Sequence, residues 1–201
     1  MLHKPRGCIT ARRDPRHKTV MDYFPEEKRD VLFPVGRLDK DTEGLLIVTN
    51  DGTLSFDLMN PQRSVPKTYF FWAMGNPDYD RLREVEGGVH IYKSREKSTC
   101  PATIEVLSLS TLWEIRSLLD YEDTKISLRR GALPVFCGTI TITEGKEHQV
   151  KRMLRYAGCR VVYLKRVSIG EITLDETLPL GEYRPLSQDE ITKLNKKISF
   201  G

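Results

Sequence analysis

The 201 residues carry 32 Lys/Arg against 28 Asp/Glu, a formal net charge of +4, with 39% hydrophobic and 30% charged side chains, the mixture of an ordinary globular chain with a full core. No apolar run approaches the roughly 20 residues of a membrane helix, and no apolar stretch of a secretory signal follows Lys4 and Arg6. Cys8, Cys100, Cys137 and Cys159 are isolated, with no Cys-x-x-Cys pair or nearby His cluster, so neither a zinc site nor a disulfide framework is indicated and a cytoplasmic protein with reduced thiols is expected.

In chain order, the opening residues read as a short strand that breaks at Lys4-Pro5, because proline cannot donate to a ladder. A basic loop with Arg12, Arg13, Arg16, His17 and Lys18 around Asp14-Pro15 follows, too poor in apolar residues for a core element. A helical turn is expected over 19–24, a polar connection over 25–30 and a strand over 31–35. Gly36-Arg37-Leu38-Asp39-Lys40-Asp41-Thr42-Glu43-Gly44 then forms an acidic loop ahead of the apolar run Leu45 to Val48, which reads as one buried strand stopped at Asn50-Asp51-Gly52. A carboxylate in a loop anchored by a buried strand is a catalytic candidate, although a solvated acidic turn has the same composition. Calcium is the other reading of Asp39, Asp41 and Glu43, and it fails because the bidentate Glu of a calcium loop would fall at Asn50.

A short helix is expected over 53–60, with Leu54 and Leu58 on one face, and a central strand over 67–75, where Tyr69 is as much a core aromatic as a site residue. A helix over 78–85, strands over 89–92 and 102–107, a helix over 112–120 and a charged loop through Arg129-Arg130-Gly131 come next. A strand over 138–143 leads into a helix whose apolar face is Val150, Met153, Leu154 and Ala157 and whose other face is His148, Lys151, Arg152 and Arg155. Strands over 161–164 and 171–174 and a helix over 187–197 complete the chain. Charge is uneven: residues 1–37 hold 9 Lys/Arg against 5 Asp/Glu and residues 140–170 hold 7 against 2. Two basic segments around an acidic loop suit a polyanion site built about a carboxylate, and equally a solvated surface.

Three segments together resemble the bacterial ribosomal RNA pseudouridine synthases of the RsuA type, whose large-subunit relatives are RluB, RluE and RluF. They are Lys4-Pro5-Arg6-Gly7, the stretch from Gly36 to Gly52, and the stretch from Glu144 to Gly158, continued through Leu164-Lys165-Arg166-Val167-Ser168-Ile169-Gly170 to Gly181-Glu182-Tyr183-Arg184-Pro185-Leu186. The resemblance implies an α+β fold, a mixed and largely antiparallel central sheet flanked by helices, with residues 1–201 as one catalytic domain. Asp39 matches the essential aspartate, Tyr69 the tyrosine that stacks on the target uracil, and Lys151 a basic partner of the aspartate. Leu164 falls where an apolar side chain packs near the base and Arg37 where an arginine helps hold the flipped nucleotide. Lys4, Arg6, Arg12, Arg13, Lys67, His148, Arg152, Arg155 and Arg166 are the expected RNA contacts.

The implied reaction converts uridine to pseudouridine without a cofactor or metal, in ribosomal RNA or a ribosome-assembly intermediate, by a monomer with no membrane partner. The His148-Gln149-Val150-Lys151 segment and the Gly-Glu-Tyr-Arg-Pro-Leu ending lean towards 16S rRNA of the small subunit. A large-subunit (23S) target and a non-catalytic rRNA-binding assembly factor are the alternatives. Against the latter, a pure phosphate binder gains nothing from an acidic loop. Three features depart from the family: Lys at 146 and 151, where relatives often have Arg, an N-terminal alpha-L RNA-binding domain expected to be absent or truncated, and a long segment over 108–136 without an assigned role.

Overall fold

The computed structural model describes residues 1–91 and 98–198. In chain order the elements are β1 (Leu2–Lys4), α1 (Glu26–Arg29), β2 (Phe33–Pro34), β3 (Glu43–Leu46), β4 (Val48–Thr49), α2 (Gly52–Met59) and β5 (Lys67–Met74). Then follow α3 (Tyr79–Gly87), β6 (Thr103–Thr111), α4 (Tyr121–Arg130), β7 (Pro134–Ile142), α5 (Gln149–Tyr156), β8 (Arg160–Ile169), β9 (Ile172–Thr173) and α6 (Gln188–Ile198). The chain forms two compact units, Met1–Lys67 with Lys165–Gly201, and Thr68–Leu164. Pairs β1–β3, β2–β4, β6–β7 and β8–β9 are antiparallel and β3–β8 is parallel, the mixed, largely antiparallel sheet of an α+β fold.

In the first unit β3 lies between β1 and β8. The apolar run from Leu45 to Val48 is not one strand. It divides at Ile47, so that β3 joins the main sheet and β4 pairs with β2, while the Ile47 carbonyl accepts the Val35 N–H at 2.8 Å. Its continuous apolarity has a physical reason, because Leu45 packs with Met1, Val35 and Ile47 and the next residue, Leu46, with Leu2, Val20 and Met21, so both faces of β3 are buried. At the parallel β3–β8 contact only glycine fits: a Cβ on Gly44, whose φ is +106°, would lie 2.2 Å from the Arg166 carbonyl oxygen.

In the second unit the strand order is β8-β5-β7-β6. Strand β5 alternates strictly, burying Lys67, Tyr69, Phe71 and Ala73. The expected strand over 89–92 does not form at 89–91, where Val89 instead exchanges two hydrogen bonds with Thr99, and Tyr92 lies outside the described residues. The expected helix over 112–120 is replaced by a turn and a 3-10 segment, Arg116–Leu118, and the helix forms later, at α4, where a charged loop was expected. Two causes combine. Leu112 and Ile115 are drawn into a cluster with Val135 and Val162, and α4 buries polar residues, Asp123 and Ser127, which apolar periodicity does not reveal. The polar connection over 25–30 contains the single-turn α1, β2 is shorter than expected, and β6, β7 and β8 are longer.

The last segment of the first unit is tied down by Arg184, which donates to Asp175 at 2.7 Å and through both terminal nitrogens to Glu190 at 2.8 Å each. Bonds from Thr177 and Arg184 hold the Asp175 carboxyl at about 2, and those from Arg184 and the Ser187 N–H hold Glu190 at about 2, below their ordinary 3.8 and 4.5. A depressed carboxylate contributes stability that is present above its unfolded value and lost as pH falls through the folded one. Urea midpoints of the wild type are therefore expected to drop between pH 4.5 and 2, and those of Arg184→Met to drop less over the same window. Parallel pH profiles would refute this role.

Candidate active site

The Asp39 loop is built from backbone inward. Gly7 N–H donates to the Lys40 carbonyl at 2.8 Å, and the Thr10 hydroxyl donates to the Leu38 carbonyl at 2.8 Å while accepting the Leu38 N–H at 3.1 Å. Gly36 starts the loop at φ +67°, with Met59 so close that a Cβ would fall 2.5 Å from its sulfur. At the centre is the ammonium of Lys4, donating to the carbonyls of Asp39 at 3.0 Å, Thr42 at 2.8 Å and Pro5 at 3.0 Å. Thr42 N–H adds a second bond to the Asp39 carbonyl. Arg6 meets Glu43 at 3.0 Å. The Asp39 side chain is thus half-buried on a backbone held from both sides, the rigid mounting a nucleophile or base requires.

Lys4 was expected to grip RNA, and its burial corrects that: none of its surface is exposed and its three donors are engaged by carbonyls. Burial pushes the ammonium below its ordinary 10.5, opposed in part by Cys8 and the carboxylates of Asp41, Asp39 and Glu43. Lys67 and Arg166 are corrected for the same reason. Lys67 is 2% exposed and bonds the Val65 carbonyl at 2.9 Å, and burial together with the charge of Arg166 takes it down to about 8. Arg166, 1% exposed, donates its Nε to the Leu45 carbonyl at 2.8 Å. Arg37, Arg12 and Arg13 are exposed, the last two against Asp30.

The second unit carries the remaining expected residues. Tyr69 lies on the buried face of β5 and Leu164 is buried in β8. On α5, Val150, Met153 and Leu154 are buried as the periodicity required, Lys151 and Arg152 are half-buried, and Arg155 is exposed. His148 immediately precedes the helix in the left-handed region, φ +51° and ψ +27°, a conformation that costs a non-glycine residue energy unless its surroundings impose it. Those surroundings are a network that the sequence reading missed. The buried Gln149 amide donates to Glu144 at 2.8 Å and accepts the Lys146 N–H at 2.9 Å, and Glu144 also accepts the Cys100 N–H at 2.8 Å and meets the Lys146 ammonium at 3.0 Å. Burial alone would raise the Glu144 carboxyl, and these donors hold it below its ordinary value instead. The five-residue spacing of Glu144 and Gln149 across a turn was the available signal, and it has no helical or strand period to mark it.

The sequence profile of RNA pseudouridylate synthases matches residues 1–156. The chain belongs to this family. It is 41% identical over 200 residues to an uncharacterized RNA pseudouridine synthase, YtzG, of Bacillus subtilis, covering 98% of this chain and 72% of the relative. It is 36% identical over 191 residues to ribosomal small subunit pseudouridine synthase A of Pseudomonas aeruginosa, covering 95% and 71%. A crystal structure of a pseudouridylate synthase superposes with a TM-score of 0.76 at 33% identity, over 96% of this chain and 71% of that one. The archaeal box H/ACA Nop10-Cbf5 complex shares the fold at a TM-score of 0.54 and 18% identity, over 90% of this chain and 50% of that one.

In this RNA pseudouridylate synthase, Lys4→Met is expected to lower turnover at least about tenfold with little change in RNA affinity, since it frees the Asp39 carbonyl rather than a phosphate contact. Kinetics with salt-dependent RNA binding checks this. A loss confined to affinity, with the salt slope reduced by about 0.7, would make Lys4 a phosphate ligand after all.

Proposed function

We propose that the chain converts a specific uridine of 16S ribosomal RNA to pseudouridine, acting as a cytoplasmic monomer on rRNA or an assembly intermediate, with residues 1–201 as its catalytic domain. The family match supports the reaction, and relatives named ribosomal small subunit pseudouridine synthase A, among them that of Escherichia coli at 35% identity over 194 residues, support the small-subunit target. Among the described residues no helix is long and apolar enough to cross a membrane.

The observation that carries the reading is the Asp39 loop itself. An RNA-binding protein without chemistry has no use for an acidic side chain on a backbone clamped by a buried lysine, because the carboxylate repels phosphates. In the roles the family resemblance supplies, Asp39 attacks ribose carbon 1′ or removes the 2′ proton, and Lys151 keeps it ionised and oriented. Tyr69 stacks on the flipped uracil, recovering part of the few kcal/mol that unstacking costs. The glycosidic bond to nitrogen-1 breaks, the uracil rotates and a bond to carbon-5 forms; the carbon-5 proton is lost to solvent and nitrogen-1 gains one, so no redox partner is needed.

Asp39→Asn is expected to keep the fold and RNA affinity and to lose isomerisation, measured as tritium release from carbon-5-labelled rRNA. Turnover above about one-hundredth of wild type would refute the assignment, since loss of a nucleophile costs far more. Tyr69→Phe is expected to fold, bind and cleave the glycosidic bond but to release product slowly, because the ring stays and the hydroxyl goes. Wild-type turnover would leave Tyr69 a stacking or core residue. Chemical mapping of pseudouridine in rRNA from a strain lacking the protein identifies the target, and a missing modification in 23S rather than 16S rRNA would overturn the small-subunit assignment.

A further inference from the structure

Helix α4 and the turn before it are built in a way that folding alone does not explain. The helix is inverted: Asp123 and Ser127 face the protein at 2% and 1% exposure, while Tyr121 and Leu128 face solvent at 71% and 68%. Arg160 holds Asp123 at 2.7 Å and Ile126 packs on the Leu112 cluster, so an ion pair and a single apolar side chain, without a full apolar stripe, dock the helix. Tyr121, Lys125 and Leu128 follow one another at the spacing of one helical face, and the Lys125 ammonium lies 4.0 Å from the centre of the Tyr121 ring. A second aromatic–cation pair is nearby. The Arg116 guanidinium sits 4.3 Å from the Trp113 ring, and Trp113 N–H bonds the Gly131 carbonyl at 3.0 Å, which places this stack beside the last turn of α4, where Arg129 and Arg130 are exposed.

Arg116, Lys125, Arg129 and Arg130 are exposed on this surface against the exposed carboxylates of Glu114, Asp120 and Glu122, which local bonds hold in place. Glu114 is taken by the Ser110 and Thr111 hydroxyls and the Thr111 N–H, Asp120 caps α4, Asp123 is buried against Arg160, and Glu122 meets Lys125 at 3.5 Å. Arg129 and Arg130 make no ion pair among the described residues. Exposed rings, each beside a cation, together with uncommitted arginines are the components of a single-stranded nucleic-acid platform, in which bases stack on rings and guanidinium groups meet phosphates. Tyr, Trp and Arg are also the residues enriched at protein interfaces, so it is the salt dependence and the stacking variant that separate RNA from a protein partner on this face.

We propose that Trp113, Arg116, Tyr121, Lys125, Arg129 and Arg130 form a docking surface for a single-stranded segment of the RNA substrate, apart from the side chains assigned to catalysis. This rests on the reading of the chain as an rRNA pseudouridine synthase. It gives the segment over 108–136 a role, as an added RNA contact that the enzyme holds outside the residues acting on the uridine.

The test uses the full chain and a fluorescein-labelled 12-nucleotide oligouridylate, with affinity measured by anisotropy across a salt series. Tyr121→Ala is expected to weaken binding at least about fivefold, the lower end of the loss of one stacked base. Arg129→Gln with Arg130→Gln is expected to reduce the slope of log K against log salt by about 1.4, two phosphate contacts' worth. All three positions are exposed, and circular dichroism melts confirm that the variants fold. Affinity within twofold of wild type and an unchanged slope in both variants overturn the proposal and leave the face to a protein partner. Pseudouridine formation by the wild type on total rRNA is scored in parallel, so a working enzyme whose variants bind normally refutes this surface alone, and a wild type that forms no pseudouridine refutes the parent reading.

Discussion

The first unit is organised around one buried positive charge. Removing an ammonium from water costs several kcal/mol even after the protein relaxes, and three charge-assisted hydrogen bonds to carbonyls, each about 1.5–3 kcal/mol, roughly offset that. Lys4 therefore adds little net stability. What it contributes is position: its three acceptors belong to the end of β1 and to the Asp39 loop, so the carboxylate's backbone cannot move without stranding a charge. The β1–β3 pairing, with Lys4 opposite Gly44, and the close β3–β8 approach at Gly44 set the ammonium where those carbonyls converge.

Lys67 and Arg166 extend the same logic. Both side chains come from strands of basic appearance and both are turned inward to backbone carbonyls, Val65 and Leu45. Part of the positive charge that suggests a polyanion surface is therefore internal scaffolding. The cations that the structure exposes, and on which the proposed phosphate contacts rest, include Arg12, Arg13, Arg37 and Arg155, along with the arginines at the end of α4.

The second unit positions its basic helix by another device. Glu144 collects donors from Cys100, Lys146 and Gln149, and this fixes the entry to α5 at His148, three residues ahead of Lys151. Both units thus hold a proposed catalytic side chain through a buried polar group saturated with hydrogen bonds, which specifies one geometry because any other leaves a donor or acceptor unmet.

The sequence by itself determined the strong local features: the central strand β5, the apolar face of α5, the helices α2, α3 and α6, and the carboxylate of Asp39 in a loop before a buried strand. These follow from periods and turn residues that act over a few positions. Motif order across the chain also identified the family. Only the tertiary structure decided the division of the run at Ile47, because the two strands differ in their partners and not in their residues. It alone turned Lys4, Lys67 and Arg166 inward, since a lysine before a proline reads the same whether its ammonium meets water or three carbonyls from residues up to 38 positions away. It placed a helix at 121–130 whose buried residues are Asp123 and Ser127, with Ile126 packed on the Leu112 cluster, and apolar periodicity cannot report a helix with so little apolar surface turned inward.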